Sequence, residues 1–139
     1  MVFSHVALSC TDPAKTEQFY SDHFGFRRAR VIPLGDDNAI VFLKNDQSVY
    51  LELFRADAEH PGFPAAVNDG PHYTGIRHLA FQVNDVDATV NAMGIAADVT
   101  LGPLDFSAFI PGWKTVWLRD PDGNIVEISQ GYTDQSDSQ

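Results

Sequence analysis

The stretch Trp117-Leu-Arg-Asp-Pro-Asp-Gly-Asn-Ile-Val-Glu127 decides the fold of this 139-residue chain. It has the pattern of a strand, an Asp-Pro-Asp-Gly turn, and a second strand with a glutamate between apolar neighbours. The stretch Phe42-Leu-Lys-Asn-Asp-Gln-Ser-Val-Tyr-Leu-Glu52 has the same length and the same ending, 75 residues earlier. Repetition of this kind predicts two copies of one structural unit.

The repeat extends outward from these stretches. His5-Val-Ala-Leu returns as His78-Leu-Ala-Phe 73 residues later, and one loop insertion accounts for the two-residue difference in offset. Each copy has the signals of strand, helix, strand, strand, strand. In the first copy the pattern predicts a strand at 3–10, a helix from Asp12 to Gly25, and strands at 26–32, 39–44 and 49–54. In the second it predicts a strand at 76–83, a helix from Asp85 to Gly94 that buries Val86, Val90 and Met93, and strands at 97–101, 114–119 and 125–130.

The same pattern gives the organisation of the chain. We expect one domain made of a module at 1–56 and a second module at 75–131. Residues 57–74 are rich in Pro, Gly and Ala and show no clear period, so they are interpreted as the crossing between modules. The polar tail 132–139 is expected to fray. A turn is expected at 33–38, where Pro, Gly, Asp and Asn cluster.

Composition excludes several classes of function. The chain has nine Lys and Arg against nineteen Asp and Glu, a net charge of −10, which disfavours nucleic acid and anionic lipid as partners. Its single cysteine, Cys10, excludes an intrachain disulfide and a zinc cluster built on cysteines. No window approaches the roughly 20 apolar residues of a membrane span, and no secretory signal is visible, so we expect a cytoplasmic protein that acts on a small molecule.

Four residues carry the chemical signal. Glu52 and Glu127 each lie inside a predicted strand, and His5 and His78 are each expected to open the first strand of a copy. Taken singly, each glutamate is more simply a solvated residue and each histidine a structural one. Their recurrence at equivalent places supplies two imidazoles and two carboxylates. Such a set suits Zn, Ni, Co, Mn or Fe(II) better than Ca, which prefers oxygen alone.

With these residues in place, the chain resembles the vicinal oxygen chelate superfamily, the group of glyoxalases, bleomycin-resistance proteins and extradiol dioxygenases. The resemblance covers residues 3–130, is strongest in the stretch that ends at Glu127, and is closest to glyoxalase I-like members. It implies an α+β fold of two tandem βαβββ modules whose mixed sheets curl around a metal-binding cleft. It also implies that one divalent metal is bound by His5, Glu52, His78 and Glu127.

The resemblance further implies a reaction. In glyoxalase I-like members the metal polarises a carbonyl and stabilises an enediolate, while a carboxylate moves a proton between adjacent carbons. By position, Glu127 is expected to be the base and Glu52 to assist. Members of the group often form homodimers, with the metal site inside one chain or shared between two.

Two departures concern the substrate. Glutathione-dependent members carry an Arg four residues after the first ligand and an Asn four residues after the second, where this chain has Ser9 and Ala56. Glutathione is therefore not the expected substrate. Other cations that could hold an anionic substrate are Arg55, Arg77, Lys114 and Arg119.

Three alternatives remain open. Methylmalonyl-CoA epimerase-like members commonly have Gln where this chain has Glu52. An extradiol ring-cleaving dioxygenase could use His5, His78 and Glu127, but Glu52 would crowd the positions that oxygen and catechol need. A non-catalytic bleomycin-resistance-type binding protein generally lacks the ligands that are kept here. Because Glu52 is present, we rank the lyase or isomerase hypothesis first among these functions.

Aromatic residues near the second copy are a further candidate feature. Phe106, Phe109 and Trp113 are expected to line or support the cleft, and Trp117 to pack in the core. The Pro- and Gly-bounded segment 102–112 is a candidate lid.

Overall fold

The computed structural model describes residues 1–62 and 65–136. The chain divides into two compact units, Met1–Phe63 (unit 1) and Pro64–Gln139 (unit 2). Within the described residues, each unit contains one α-helix and one four-stranded mixed sheet. The predicted α+β fold with two tandem βαβββ modules is confirmed.

Unit 1 consists of β1 (His5–Cys10), α1 (Pro13–Phe24), β2 (Arg27–Gly35), β3 (Asn38–Lys44) and β4 (Tyr50–Arg55). The strand order in the sheet is β1-β4-β3-β2. The first and last strands, β1 and β4, are parallel neighbours, and the other pairs are antiparallel. This order places the strand of His5 directly beside the strand of Glu52.

Unit 2 repeats the arrangement. It consists of β5 (Leu79–Gln82), α2 (Val86–Met93), a short 3₁₀-helix (Gly94–Ala96), β6 (Asp98–Asp105), β7 (Lys114–Arg119) and β8 (Ile125–Gln130). The strand order is β5-β8-β7-β6, again with the first and last strands parallel. The strand of Glu127 therefore lies between the first strand of the unit and β7.

Both ends of α1 form as the sequence predicts. The Asp12 carboxylate accepts hydrogen bonds from the backbone N–H groups of Ala14 (3.1 Å) and Lys15 (3.4 Å), and Pro13 occupies the first helical position. Gly25 ends the helix in the left-handed conformation, with φ 70°. The helix buries Phe19 and Tyr20.

Each sheet has two chemically different faces. Side chains alternate along a strand, so the buried Leu51 and Leu53 lie on one face of β4 and Glu52 on the other. In β8 the buried Val126 and Ile128 flank Glu127 in the same way. We call the face that carries Glu52 or Glu127 the glutamate face of its unit.

Several predicted boundaries are wrong. The turn expected at 33–38 is mostly strand, because β2 continues to Gly35 and only Asp36 and Asp37, with φ of 53° and 56°, make the turn. Pro33 is tolerated because β2 is an edge strand. The strands expected at 3–10 and 76–83 are shorter, so His5 opens its strand whereas His78 lies one residue before β5.

Other expectations are corrected in the loops. Part of the candidate lid at 102–112 is strand, since β6 extends to Asp105. Val90 is half-buried rather than buried. The crossing at 57–74 includes residues 63–64, and the tail at 132–139 includes residues 137–139, which lie outside the described part of the chain. Over the ranges that are described, no helix is long and apolar enough to cross a membrane.

Candidate functional site

The first predicted pair lies on the glutamate face of unit 1. Glu52 is directly opposite Ala7 of β1, and His5, two residues earlier on the same strand, shares this face. The Nε2 atom of His5 is 2.9 Å from Oε2 of Glu52, and the two side chains are 36% and 15% exposed. The other ring nitrogen of His5, Nδ1, lies 2.8 Å from the hydroxyl of Ser4.

The second predicted pair is the equivalent one in unit 2. The Nε2 atom of His78 is 3.6 Å from Oε2 of Glu127, and the side chains are 23% and 17% exposed. Nδ1 of His78 lies 2.6 Å from the backbone carbonyl oxygen of Asp69. A carbonyl only accepts hydrogen bonds, so Nδ1 carries the hydrogen, and in the neutral imidazole Nε2 keeps its lone pair on the side of Glu127.

Glu127 has a further partner inside its unit. The hydroxyl of Thr115, a buried residue of β7, lies 2.9 Å from Oε1 of Glu127 and 3.1 Å from the carbonyl oxygen of Ile128. The single hydroxyl hydrogen serves these two acceptors, and the other carboxylate oxygen of Glu127, Oε2, faces His78.

The spacing within each pair suits two ligands of one ion. Ligand atoms about 2.1 Å from a metal lie roughly 3.0 Å apart at an octahedral angle and roughly 3.4 Å apart at a tetrahedral angle. The observed separations of 2.9 and 3.6 Å are near these values. The nitrogen and oxygen donors therefore fit a divalent transition metal in both composition and spacing.

The structure brings the four residues together as two pairs, one in each unit. Among residues 1–62 and 65–136, no group of three or more His, Cys, Asp or Glu side chains is arranged to hold a metal ion. The four-ligand set stays a prediction.

A cavity of about 500 Å³ lies beside His5 in unit 1. Its apolar wall includes Phe3, Phe42 and Tyr50, and Phe42 packs edge-on against the imidazole at 5.8 Å. Within the described part of the chain, no Lys or Arg side chain lines this cavity. It suits an uncharged, apolar chemical group.

The four cations considered for an anionic substrate all have protein partners. Arg55 donates to the carbonyl oxygen of Asp37, and Lys114 pairs with Asp87. Arg77 pairs with the carboxylate of Asp69, and Arg119 donates to the carbonyl oxygen of Ala66 and pairs with Asp98. In this structure the four side chains are therefore engaged in contacts within the protein.

Asp69 is a site residue that sequence reasoning missed. Its carbonyl holds His78, and its carboxylate lies 3.3 Å from Nε2 of His72 and 3.2 Å from Nε of Arg77. Burial raises the pKa of Asp69, but the hydrogen bond with His72 and the charge of Arg77 outweigh burial and lower the pKa overall. The turn signal Asn68-Asp69-Gly70 was visible inside the segment interpreted as a crossing.

The four aromatic residues considered in the second copy differ in their exposure and in their contacts. Phe106 and Trp113 lie 4.9 Å apart, and Trp113 donates through Nε1 to the hydroxyl of Ser129 at 3.3 Å. Phe109 is largely exposed. Trp117 is buried, but it lies directly opposite Glu127 and therefore on the glutamate face, with its ring 6.3 Å from that of His78, and not on the apolar face of the sheet as expected. Among the described residues its Nε1 has no hydrogen-bond partner.

Comparison with known proteins gives one family over nearly the whole chain. The sequence model of the Glyoxalase/Bleomycin resistance protein/Dioxygenase superfamily matches residues 2–128. The uncharacterized protein YaeR of Escherichia coli strain K12 is 38% identical over 135 residues, which cover 89% of this chain and 92% of YaeR.

Solved structures agree on the fold. A glyoxalase family protein from Enterococcus faecalis is 27% identical, with a TM-score of 0.66 and coverage of 92% of this chain and 96% of its own. A mutant of the fosfomycin resistance protein FosX from Listeria monocytogenes, complexed with Mn(II) and 1S,2S-dihydroxypropylphosphonic acid, has a TM-score of 0.70. It is 15% identical and covers 94% of this chain and 92% of its own, a likeness in fold.

Proposed function

The chain belongs to the Glyoxalase/Bleomycin resistance protein/Dioxygenase superfamily, and on this premise we propose that it is a divalent-metal-dependent enzyme of glyoxalase type. As a lyase or isomerase, it moves a proton between adjacent carbons of a small carbonyl substrate. The observation that carries the proposal is the equivalent pairing of His5 with Glu52 and of His78 with Glu127 at ligand spacing.

These four side chains would hold the ion, with Ni, Zn, Co, Mn or Fe(II) as the candidates. Divalent metals are known in the superfamily, as in FosX with Mn(II). When bound, the ion supplies a positive charge that stabilises an oxyanion developing beside the carbon that loses its proton.

Glu127 is the proposed base, with Glu52 assisting. The hydroxyl of Thr115 lies 2.9 Å from Oε1 of Glu127, which orients the carboxylate so that Oε2 faces His78. The position equivalent to Thr115 in the first copy is Ile40, which has no hydroxyl to donate to Glu52. The two carboxylates are therefore suited to different parts of the transfer.

The wall of the cavity beside His5 supports a proposal for the substrate class. Phe3, Phe42 and Tyr50 favour an uncharged apolar substituent. Ser9 and Ala56 stand where glutathione-dependent members carry the groups expected to bind glutathione. We propose a carbonyl substrate with an apolar substituent in place of the glutathione hemithioacetal.

Metal analysis tests the ligand set first. Protein purified without added ions is analysed by inductively coupled plasma mass spectrometry and then titrated with Ni²⁺, Zn²⁺ and Fe²⁺. We expect about one ion per ligand set and a large loss of affinity in Glu52→Gln and Glu127→Gln. Glu17→Gln is the matched control, since Glu17 is bound by Arg28 and belongs to neither proposed ligand pair. Protein that binds none of these three metals, and neither Co²⁺ nor Mn²⁺, would overturn the proposed function.

A proton-exchange assay then tests the reaction. Metal-loaded protein in D₂O is incubated with apolar α-hydroxycarbonyl compounds and with hemithioacetals of several thiols, and loss of the C–H signal is followed by NMR. Exchange that needs both the metal and Glu127 supports the proposal. Oxygen consumption with ring cleavage of a catechol would instead assign His5, His78 and Glu127 to a dioxygenase, and tight ligand binding without turnover would indicate a binding protein.

A further inference from the structure

Residues 66–70, inside the region that the sequence presents as a structureless crossing, are fastened to the sheet of unit 2. The guanidinium of Arg119 in β7 donates from Nε and Nη2 to the carbonyl oxygen of Ala66, at 3.2 and 3.0 Å. The hydroxyl of Thr100 in β6 donates to the carbonyl oxygen of Asn68 at 2.5 Å. The Gly70 N–H donates to Val67 at 3.0 Å and closes a turn within the segment.

The far end of the segment is packed against the residue that precedes His78. A Cβ added at Gly70, which has φ 117°, would lie 1.9 Å from the carbonyl oxygen of Arg77, so only glycine permits this approach. The carboxylate of Asp69 binds the Arg77 side chain at 3.2 Å. Both contacts fix the 66–70 segment relative to the backbone entering β5.

The 66–70 segment contacts the imidazole of His78 through the backbone carbonyl of Asp69. The Asp69 carbonyl oxygen accepts the Nδ1 hydrogen of His78 at 2.6 Å. We propose that the 66–70 segment is a positioning element that holds His78 in the Nδ1–H tautomer, so that Nε2 is aimed as a metal ligand. The inference rests on the proposed function, which makes His78 a ligand. Outer partners of this kind set ring orientation and tautomer in metal sites.

The element is specific to one of the two pairs. His5 has the hydroxyl of Ser4 at Nδ1, and a hydroxyl donates or accepts equally well, so it selects no tautomer. His78 faces a carbonyl, which only accepts. Disturbing the segment is therefore expected to act on the His78 half of the ligand set alone.

The test removes the anchors and leaves every ligand in place. Thr100→Val and Arg119→Met each delete one attachment of the 66–70 segment, and Thr100→Ser keeps the hydroxyl as a conservative rescue. Thr89→Val is the matched control for the first, because it deletes a threonine hydroxyl bonded to the Asp85 carbonyl in α2. Asp98→Ala is the control for the second, because it removes only the exposed ion pair of Arg119.

Two readouts are taken. Titration with Ni²⁺ or Zn²⁺ is expected to show about 10-fold weaker binding in Thr100→Val and Arg119→Met, with Thr100→Ser and both controls near wild type. Long-range ¹H–¹⁵N spectra of the metal-free protein, assigned with His78→Gln, are expected to show the Nδ1–H tautomer in wild type and a mixture in the two anchor variants.

The outcomes separate the inference from the proposed function. A wild-type protein that binds no metal overturns the proposed function, and the tautomer of His78 in the spectra then still tests the positioning element. A wild-type protein that binds metal while both anchor variants keep its affinity and tautomer overturns the inference alone. If Thr100→Ser also fails to bind metal with wild-type affinity, the loss in Thr100→Val comes from altered packing and not from the missing hydroxyl. That result would overturn the inference as well.

Discussion

Glu52 and Glu127 are equivalent in the repeat but differ in their immediate contacts. Glu127 accepts a hydrogen bond from the hydroxyl of Thr115, whereas unit 1 has Ile40 at the corresponding position. A hydroxyl donor orients a carboxylate, and an aliphatic side chain does not. At the scale of single residues, Glu127 therefore has an orienting partner in addition to the imidazole of its pair.

Replacing Thr115 by Val tests this difference. The two side chains have nearly the same shape, so the change removes only the hydroxyl, which lies 2.9 Å from Oε1 of Glu127 and 3.1 Å from the carbonyl oxygen of Ile128. We expect metal affinity, measured by titration calorimetry with Zn²⁺, to fall about 10-fold because Glu127 loses its orientation. The free energy of unfolding is expected to fall by no more than about 1.5 kcal/mol, since the carboxylate is partly exposed and water can replace the donor.

Thr89→Val serves as the control for that change, because its hydroxyl bonds a backbone carbonyl in α2. Equal metal affinity in Thr115→Val and Thr89→Val would mean that the hydroxyl has no part in positioning Glu127.

The ligand pairs could be predicted because their residues recur in both copies. The residues that orient them could not, because they do not recur. His5 and His78, and likewise Glu52 and Glu127, recur at fixed places, so comparison of the two copies singles them out. Thr115 has no polar counterpart in the first copy. Its role depends on side chains of neighbouring strands meeting on one face, which requires the register of β7 and β8. A contact set by register cannot be inferred from one strand's sequence.

At the scale of elements, α1 depends on its N-terminal cap. The Asp12 carboxylate accepts from the backbone N–H groups of Ala14 and Lys15 in the first turn of the helix. Asp12→Ala is expected to lower the free energy of unfolding by about 1 kcal/mol, measured by urea denaturation. Asp22→Ala, an exposed change in the last turn of the same helix, is the control and should have a near-zero effect. A loss in Asp22→Ala as large as in Asp12→Ala would contradict the capping role.

Substitutions at two glycines allow the cost of backbone strain to be distinguished from the cost of a steric clash. Gly25 has φ 70° with open space where a Cβ would lie, and Gly70 has φ 117° with the Arg77 carbonyl oxygen 1.9 Å from that position. Gly25→Ala is expected to lower the free energy of unfolding by about 1 kcal/mol through strain alone. Gly70→Ala adds a backbone clash and is expected to lower it by more than about 2 kcal/mol. Chemical denaturation measures both, and equal losses would show that the 66–70 segment moves freely away from Arg77.

The elements that the sequence misassigned share a physical cause. Pro33 and Gly35 are turn residues by composition, but an edge strand needs partners on one side only, so β2 accommodates both. Gly102 and Pro103 lie within β6 for the same reason, because β6 is the edge of its sheet. The helices were predicted well, because Asp12, Gly25, Asp85 and Gly94 are local signals that do not depend on the rest of the fold.

At the scale of the whole molecule, each unit supplies half of the proposed ligand set. One imidazole and one carboxylate leave a divalent ion with most of its coordination positions open, so a single pair is expected to bind weakly. The proposed function therefore needs both pairs on one ion. Superfamily kinship suggests a homodimer, in which the second pair comes either from the same chain or from its partner.

Two half-site variants test this requirement. His5→Gln with Glu52→Gln removes the pair of unit 1, and His78→Gln with Glu127→Gln removes the pair of unit 2. Each double variant alone is expected to lose metal binding almost completely, measured by equilibrium dialysis with Zn²⁺, although the other pair is intact. The two proteins are then mixed, exchanged in mild denaturant and refolded. Sites shared between chains would recover about a quarter of the wild-type metal, because half of the dimers are mixed and each has one intact site. Sites within one chain would recover none. A double variant that binds metal as tightly as wild type would refute the four-ligand set, because one pair would then suffice.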